Sequence, residues 1–138
     1  MICVLVSSDK NLFSNMELTL VSSHMDIKWI DTGKKLLSWL SEQPSDKPIE
    51  LVIIAENLPD YTARNLVERV ITQSPMANCA AISTLSPKKF HDAYEGLGVL
   101  MQLPIKPSDH DAKRLVTHLN KISALSSPLA KTDKEAGR

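Results

Sequence analysis

Residues 50–60 read Glu-Leu-Val-Ile-Ile-Ala-Glu-Asn-Leu-Pro-Asp, an unbroken apolar run followed by a polar loop with a proline turn. A short run that is apolar at nearly every position is typical of a strand buried on both faces, as in the middle of a parallel sheet. A second run of this kind spans Ile2 to Val6. The sequence therefore predicts two central strands, at 2–6 and 51–55.

Short apolar runs alternate with segments of helical periodicity five times along the chain. Further strands are predicted at 26–30, 80–83 and 99–103, and residues 26–30 carry a charge between apolar residues, which favours an edge strand. Repeated βα units require right-handed crossovers and a parallel sheet covered on both faces. The predicted fold is a doubly wound α/β domain with five parallel strands in the order 2-1-3-4-5, where function gathers at the carboxyl ends of the strands.

Composition limits the size of the domain and its partners. With 43% hydrophobic residues among 138, the chain has material for one core, and the apolar pattern stops after Ile122. We expect one domain over 1–122 and a disordered tail or linker over 123–138. Sixteen basic residues balance sixteen acidic ones, and no basic cluster is interleaved with aromatic residues, so we expect no direct nucleic-acid partner.

The N-terminal segment, the longest apolar runs and the two cysteines indicate where the protein functions. The N-terminus has no basic leader, and no apolar run approaches the roughly 18 residues of a membrane span. We expect a cytoplasmic protein without a membrane partner. Cys3 and Cys79 fall within or at the edge of predicted strands and are interpreted as buried structural thiols.

Polar side chains gather where the predicted strands end. These are Ser7-Ser8-Asp9 after the first strand, residues 55–60 after the third, Ser83-Thr84 after the fourth and Lys106-Pro107 after the fifth. In this arrangement the chain resembles the receiver (CheY-like) domain of bacterial two-component response regulators over about residues 1–122. The resemblance rests on the third strand with its Leu-Pro-Asp loop, on Lys106-Pro107, and on Thr84 at the position of the switch Ser or Thr.

The departures from the family pattern indicate a degenerate site. Ala55 stands where receivers have the phospho-accepting Asp, and a methyl group cannot attack a phosphoryl group. Ser7 and Ser8, followed by Asp9, stand where the family has the acidic pair that holds Mg²⁺, so we expect no metal and no cofactor. Leu103 replaces the aromatic residue of the fifth strand that reports phosphorylation in many receivers.

The resemblance and its departures together predict a pseudo-receiver, a domain of bacterial two-component signalling or transcription regulation that acts through protein–protein interaction or dimerisation. It would have no enzyme activity and no catalytic residue. Its interface would be the face formed by the fourth helix, fifth strand and fifth helix, with a protein partner or a second copy. The candidate interface residues are Lys88, Lys89, Met101, Asp109, Asp111, Lys113 and Arg114.

Two alternatives stay open. The degenerate pocket between Ser7, Ser8, Ala55, Thr84 and Lys106 could bind a small anionic ligand, which would make the chain a sensor. An atypical receiver could instead be phosphorylated at Glu56 or Asp60, although strand alternation directs Glu56 away from Ala55 and Asp60 suits a turn. Lys106, without a phosphate partner, could pair with Asp9 or Glu56, or could reach solvent.

Overall fold

The computed structural model describes residues 1–44 and 49–126, and side chains as far as residue 122. Its strands are β1 (Ile2–Val6), β2 (Asp26–Ile30), β3 (Ile49–Ile54), β4 (Asn78–Ile82) and β5 (Met101–Leu103). Its α-helices are α1 (Ser14–Ser22), α2 (Gly33–Glu42), α3 (Ala63–Gln73), α4 (Pro87–Ala93) and α5 (Asp109–Ser126), and a 3-10 turn, Lys10–Phe13, leads into α1.

All five strands form one parallel sheet in the order β2-β1-β3-β4-β5, which confirms the predicted fold. The central strands β1 and β3 pair in register from Cys3 opposite Leu51 to Val6 opposite Ile54. From Val4 to Val6 and from Leu51 to Ile54 every side chain is fully buried, as expected for strands covered on both faces.

Two apolar cores cover the two faces of the sheet. One contains Val4, Val52 and Leu66 and is closed by α2, α3 and α4. The other contains Leu5, Ile53 and Leu115 and is closed by α1 and α5. Strand alternation explains the division, because neighbouring residues of β1 and β3 point to opposite faces.

All five predicted strands are confirmed. Strands β1 and β2 have the predicted bounds, and the ends of β3, β4 and β5 shift by one or two residues. Strand β5 is shorter than predicted and begins at Met101, although the Leu100 N–H still donates to the Cys79 carbonyl at 2.7 Å. Helix α4 ends at Ala93, and Gly96 and Gly98 follow with φ of 82° and 66°, the left-handed conformation that glycine adopts most easily.

Helix α5 begins with a cap formed by Ser108 and Asp111. The Asp111 N–H donates to Ser108 Oγ at 3.2 Å, and the Ser108 N–H donates to Asp111 Oδ2 at 2.9 Å. The helix continues to Ser126, so its last turn overlaps the segment predicted as a tail, and positions 127–138 lie outside the described residues. In the described part of the chain, no helix is both long enough and apolar enough to cross a bilayer.

Candidate functional site

The carboxyl ends of the strands form one edge, where backbone hydrogen bonds persist for one residue beyond β1, β3 and β4. The Ser7 N–H donates to the Ile30 carbonyl at 3.0 Å, and the Ala55 N–H donates to the Val6 carbonyl at 2.9 Å. The Ser83 N–H donates to the Leu103 carbonyl at 3.0 Å. Three of the predicted strand-end positions are thereby aligned across the sheet.

Small buried side chains occupy this edge. Ser7, Ala55 and Ser83 are 5%, 4% and 6% exposed, so these three strand-end positions hold small side chains without a charge. Ser7 Oγ accepts the Asp9 N–H at 3.0 Å, and Ser83 Oγ accepts the Leu85 N–H at 3.1 Å. Both serine hydroxyls therefore hold their own loops in place.

Asp9 serves the same loop and Ser8 lies at the surface. The Asp9 carboxylate accepts the Asn11 N–H at 3.0 Å and caps the 3-10 turn, whereas Ser8 is exposed. Within the described residues, no group of three or more His, Cys, Asp or Glu side chains could hold a metal ion.

Glu56 makes the closest polar contact of the edge. Its Oε2 accepts the Thr84 backbone N–H at 2.6 Å and the Thr84 hydroxyl at 2.9 Å. The loop after β3 is therefore tied to the loop after β4 through a carboxylate. Strand alternation gives no guide to this side chain, because β3 ends at Ile54.

Asp60 ties the same loop to α2. Its two carboxylate oxygens accept the N–H groups of Gly33 and Lys34, each at 2.9 Å. Partial desolvation opposes ionisation of this carboxyl, but the N–H donors of Lys34 and Gly33 outweigh it and hold its pKa below the usual value of 3.8. Both acids that were considered as alternative phosphoacceptors are thus engaged by donors of the chain itself.

Lys106 is exposed, with a backbone φ of 54°. Among the residues the structure describes, its ammonium forms no ion pair, with Asp9, Glu56 or any other carboxylate. The side chain reaches solvent, as lysine side chains readily do. Within the described residues, no hydrogen bond joins the Lys106 side chain to Glu56 or Thr84.

The predicted interface residues lie on α4, β5 and α5. On α5, Lys113 pairs with Asp109 at 3.1 Å and Arg114 with Asp111 at 3.8 Å. Asp109 also accepts the Thr19 hydroxyl of α1, which lowers the pKa of this carboxyl. On α4, Lys88 and Lys89 are exposed, and no ion pair in the described structure involves either of them. Met101 on β5 is only half-buried.

A cleft of about 580 Å³ opens at the carboxyl end of β1, next to β2. Ser7 and Ser8 line it, but the remaining lining comes from β2, its following loop, α2 and the start of the 3-10 turn, and Ala55, Thr84 and Lys106 do not line it. Sequence reasoning missed the other lining residues, which are Lys10, Lys28, Trp29, Ile30, Asp31, Lys35 and Trp39. The one available signal was the Lys28-Trp29 pair on the predicted edge strand.

Comparisons with known proteins find similar structures but no match in sequence. No protein-family model matches the chain, and no curated protein matches it. An uncharacterized protein from Neptuniibacter caesariensis superposes with a TM-score of 0.75 at 17% identity, covering 93% of each chain.

A response regulator and a receiver domain superpose as well. The chemotaxis response regulator CheY4 of Vibrio cholerae gives a TM-score of 0.70 at 14% identity, covering 86% of this chain and 97% of that one. The signal receiver domain of an HD domain-containing protein from Pseudomonas fluorescens Pf-5 gives 0.68 at 16%, covering 88% and 90%. With five parallel strands in the order 2-1-3-4-5 and receiver domains among its structural neighbours, the chain has the CheY-like fold of response-regulator receivers.

Proposed function

We propose that this chain is a pseudo-receiver, a signalling domain that works by protein–protein interaction without an aspartyl phosphate. The observation that carries the proposal is the contact of Glu56 with Thr84, beside a buried Ala55. Both donors of the switch-position threonine are already held by a carboxylate of the chain. The position that would accept a phosphoryl group offers only a methyl group.

The surroundings of Ala55 support the same conclusion. Mg²⁺ binding normally uses one or two carboxylates and several waters. At the matching positions Ser7 is buried with its hydroxyl engaged, Ser8 is exposed, and Asp9 caps the 3-10 turn. The edge is therefore built to hold its loops together, and phosphoryl transfer has neither an acceptor nor a metal ligand set there.

The direct test is an amide NMR titration with Mg²⁺ and then beryllium fluoride, which stands in for an acyl phosphate. We expect the cross-peaks of Ala55, Asn57, Thr84 and Lys106 to stay in place throughout. Saturable shifts of these four residues would overturn the proposal, because they would mean that the edge binds the metal and the phosphoryl analogue through other ligands.

A variant with restored acids supplies the positive control. Ser7→Asp, Ser8→Asp and Ala55→Asp together should introduce Mg²⁺-dependent amide shifts that the wild type lacks. Because Ser7 and Ala55 are both buried, a second variant with only Ser8→Asp and Ala55→Asp introduces one buried acid where the triple variant introduces two, and it is the less disruptive of the pair. If both variants fold, as judged by the dispersion of their spectra, and neither binds the metal, the assignment of these strand ends to receiver positions is wrong.

The interaction surface that fits this function is the face formed by α4, β5 and α5. The candidate interface charges of α5, which are Asp109, Asp111, Lys113 and Arg114, are paired within the helix. Lys88 and Lys89 of α4 form no ion pair in the described structure, and Leu85 before them is exposed, so a partner could contact these three residues. Sedimentation velocity over a range of concentrations separates a second copy from a different protein as the partner. We expect the profile to be unchanged by acetyl phosphate with Mg²⁺, and a shift towards dimer on that treatment would contradict a phosphorylation-independent mode.

A further inference from the structure

The cleft beside β2 combines three features that the fold does not require. Its lining contains three lysines against one aspartate, the hydroxyls of Ser7 and Ser8, and both tryptophans of the chain. Its volume of about 580 Å³ lies in the range of small-molecule sites, roughly 300–1,000 Å³. The chain as a whole has a formal net charge of zero, so the excess of positive charge is local to the cleft.

The lysines come from three separate elements. Lys10 begins the 3-10 turn, Lys28 lies on β2, and Lys35 lies in the first turn of α2. Lys35 pairs with Asp31 at 3.1 Å, but both side chains are more than half exposed and such a pair is weak. Within the described residues, Lys10 and Lys28 form no ion pair. At least two ammonium groups are thus available to an anion.

The tryptophans supply flat apolar surface beside these charges. The Trp29 ring packs against Phe13 with centroids 5.7 Å apart and belongs to the core under α1 and α5. Trp39 packs on the opposite core, under α2. Both tryptophans are half-buried and both line the cleft. Indole faces stack readily on planar rings.

We propose that this cleft binds a phosphate monoester of a planar heterocycle, the chemistry of a nucleoside monophosphate. Such a phosphate carries a charge of about −1.5 to −2 at pH 7, which matches three lysines and one aspartate. The lysines and the exposed Ser8 hydroxyl contact the phosphate, and an indole stacks on the base. This site is displaced towards β2 from the pocket that the sequence suggested, and it does not depend on the interaction function proposed above.

The chain provides its own reporters for a test. It contains two tryptophans, and both line the cleft, so the two indole N–H cross-peaks of an amide NMR spectrum report on this site. Adenosine monophosphate is titrated into the wild-type chain, with adenosine and inorganic phosphate as separate probes. We expect saturable shifts of both indole peaks with the monophosphate, and binding at least about tenfold weaker for either fragment, the factor that one charge-assisted contact supplies.

A matched pair of variants locates the binding. Lys10→Gln with Lys28→Gln should weaken binding of the monophosphate at least about tenfold, whereas Lys88→Gln with Lys89→Gln should leave it unchanged. All four lysines are exposed, so the variants keep the fold. Indole peaks that do not move with adenosine, guanosine and uridine monophosphates overturn the proposal. Equal weakening in the two variants also overturns it, because it would indicate general charge attraction.

Discussion

At the scale of single residues, two side chains define the site: the short Ala55 and the longer Glu56. Ala55 leaves the carboxyl edge of β3 without a charge, and Glu56 spans to the neighbouring loop and holds both donors of Thr84. A carboxylate that accepts two donors fixes a loop more firmly than either neutral contact would. The contact therefore ties the loop after β4 to the loop after β3.

Removing this carboxylate should loosen the loop after β4. We expect Glu56→Ala to lower the free energy of unfolding by about 1 kcal/mol, because a half-exposed charged acceptor of two hydrogen bonds is lost. Thr84→Val, which removes only the hydroxyl donor, should cost less. Urea denaturation followed by circular dichroism measures both, and Glu42→Ala at the exposed end of α2 is the control. A cost for Glu56→Ala no larger than for the control would contradict a structural role for the contact.

The sequence predicted the position of Ala55 but not the contact of Glu56. Ala55 directly follows an apolar run, so its place at a strand end follows from the pattern. The Glu56–Thr84 contact joins residues 28 apart through a flexible side chain beyond the end of β3. Periodicity carries no information on such a contact, because it depends on how two loops approach each other in space.

At the scale of elements, the loop after β3 stabilises the start of α2. Asp60 accepts two N–H groups of the first turn of α2, and Tyr61 packs against Gly33 at the same place. A Cβ atom at Gly33 would lie 2.4 Å from Tyr61 Cδ2. The start of α2 therefore requires a residue without a side chain, whatever its helix propensity.

Gly33→Ala should destabilise the protein although alanine is the better helix former. We expect a loss of roughly 1–3 kcal/mol, since the Tyr61 ring must shift within a packed contact. Ser38→Ala, at an exposed position in the middle of α2, is the matched control and should be neutral or slightly stabilising. Thermal unfolding measures both changes. An increase in the melting temperature of Gly33→Ala would mean that Tyr61 moves away without cost.

The strands were predictable where the apolar pattern of the sequence is regular. Strands β1 and β2 have the predicted bounds, because an apolar run and an alternating run both identify a strand clearly. Strand β5 was predicted two residues too long, since Val99 and Leu100 are apolar yet only partly buried. The cleft beside β2 was not predicted, because its lining comes from segments spread over residues 7–39.

At the scale of the whole molecule, stability depends on two cores that share one sheet. Cys3 lies in one core and Cys79 in the other, and burial raises the pKa of each thiol from 9.0 to about 12. The folded chain therefore keeps both thiols protonated at a pH where the unfolded chain ionises them. The stability that this contributes is fully present below pH 9.0 and is lost as the pH rises towards 12.

Stability should accordingly fall at alkaline pH, by up to about 1.4 kcal/mol per pH unit for each thiol above the unfolded pKa. Urea denaturation on either side of pH 9.0 measures the slope in the wild type. In the variant with Cys3→Ala and Cys79→Ala the slope should be shallower, while its lower stability at neutral pH reflects the lost packing. Equal slopes in the two proteins would show that the thiols are exposed to hydroxide in the folded state.

The sheet order also determines when β1 gains its two neighbouring strands during synthesis. Strand β1 leaves the ribosome before either of its neighbours, and one of them, β3, ends only at Ile54. Until then the apolar residues 2–6 have a partner on one side at most. The nascent chain therefore exposes apolar surface of residues 2–6 while about fifty further residues are synthesised. Chaperone binding would matter most in this interval.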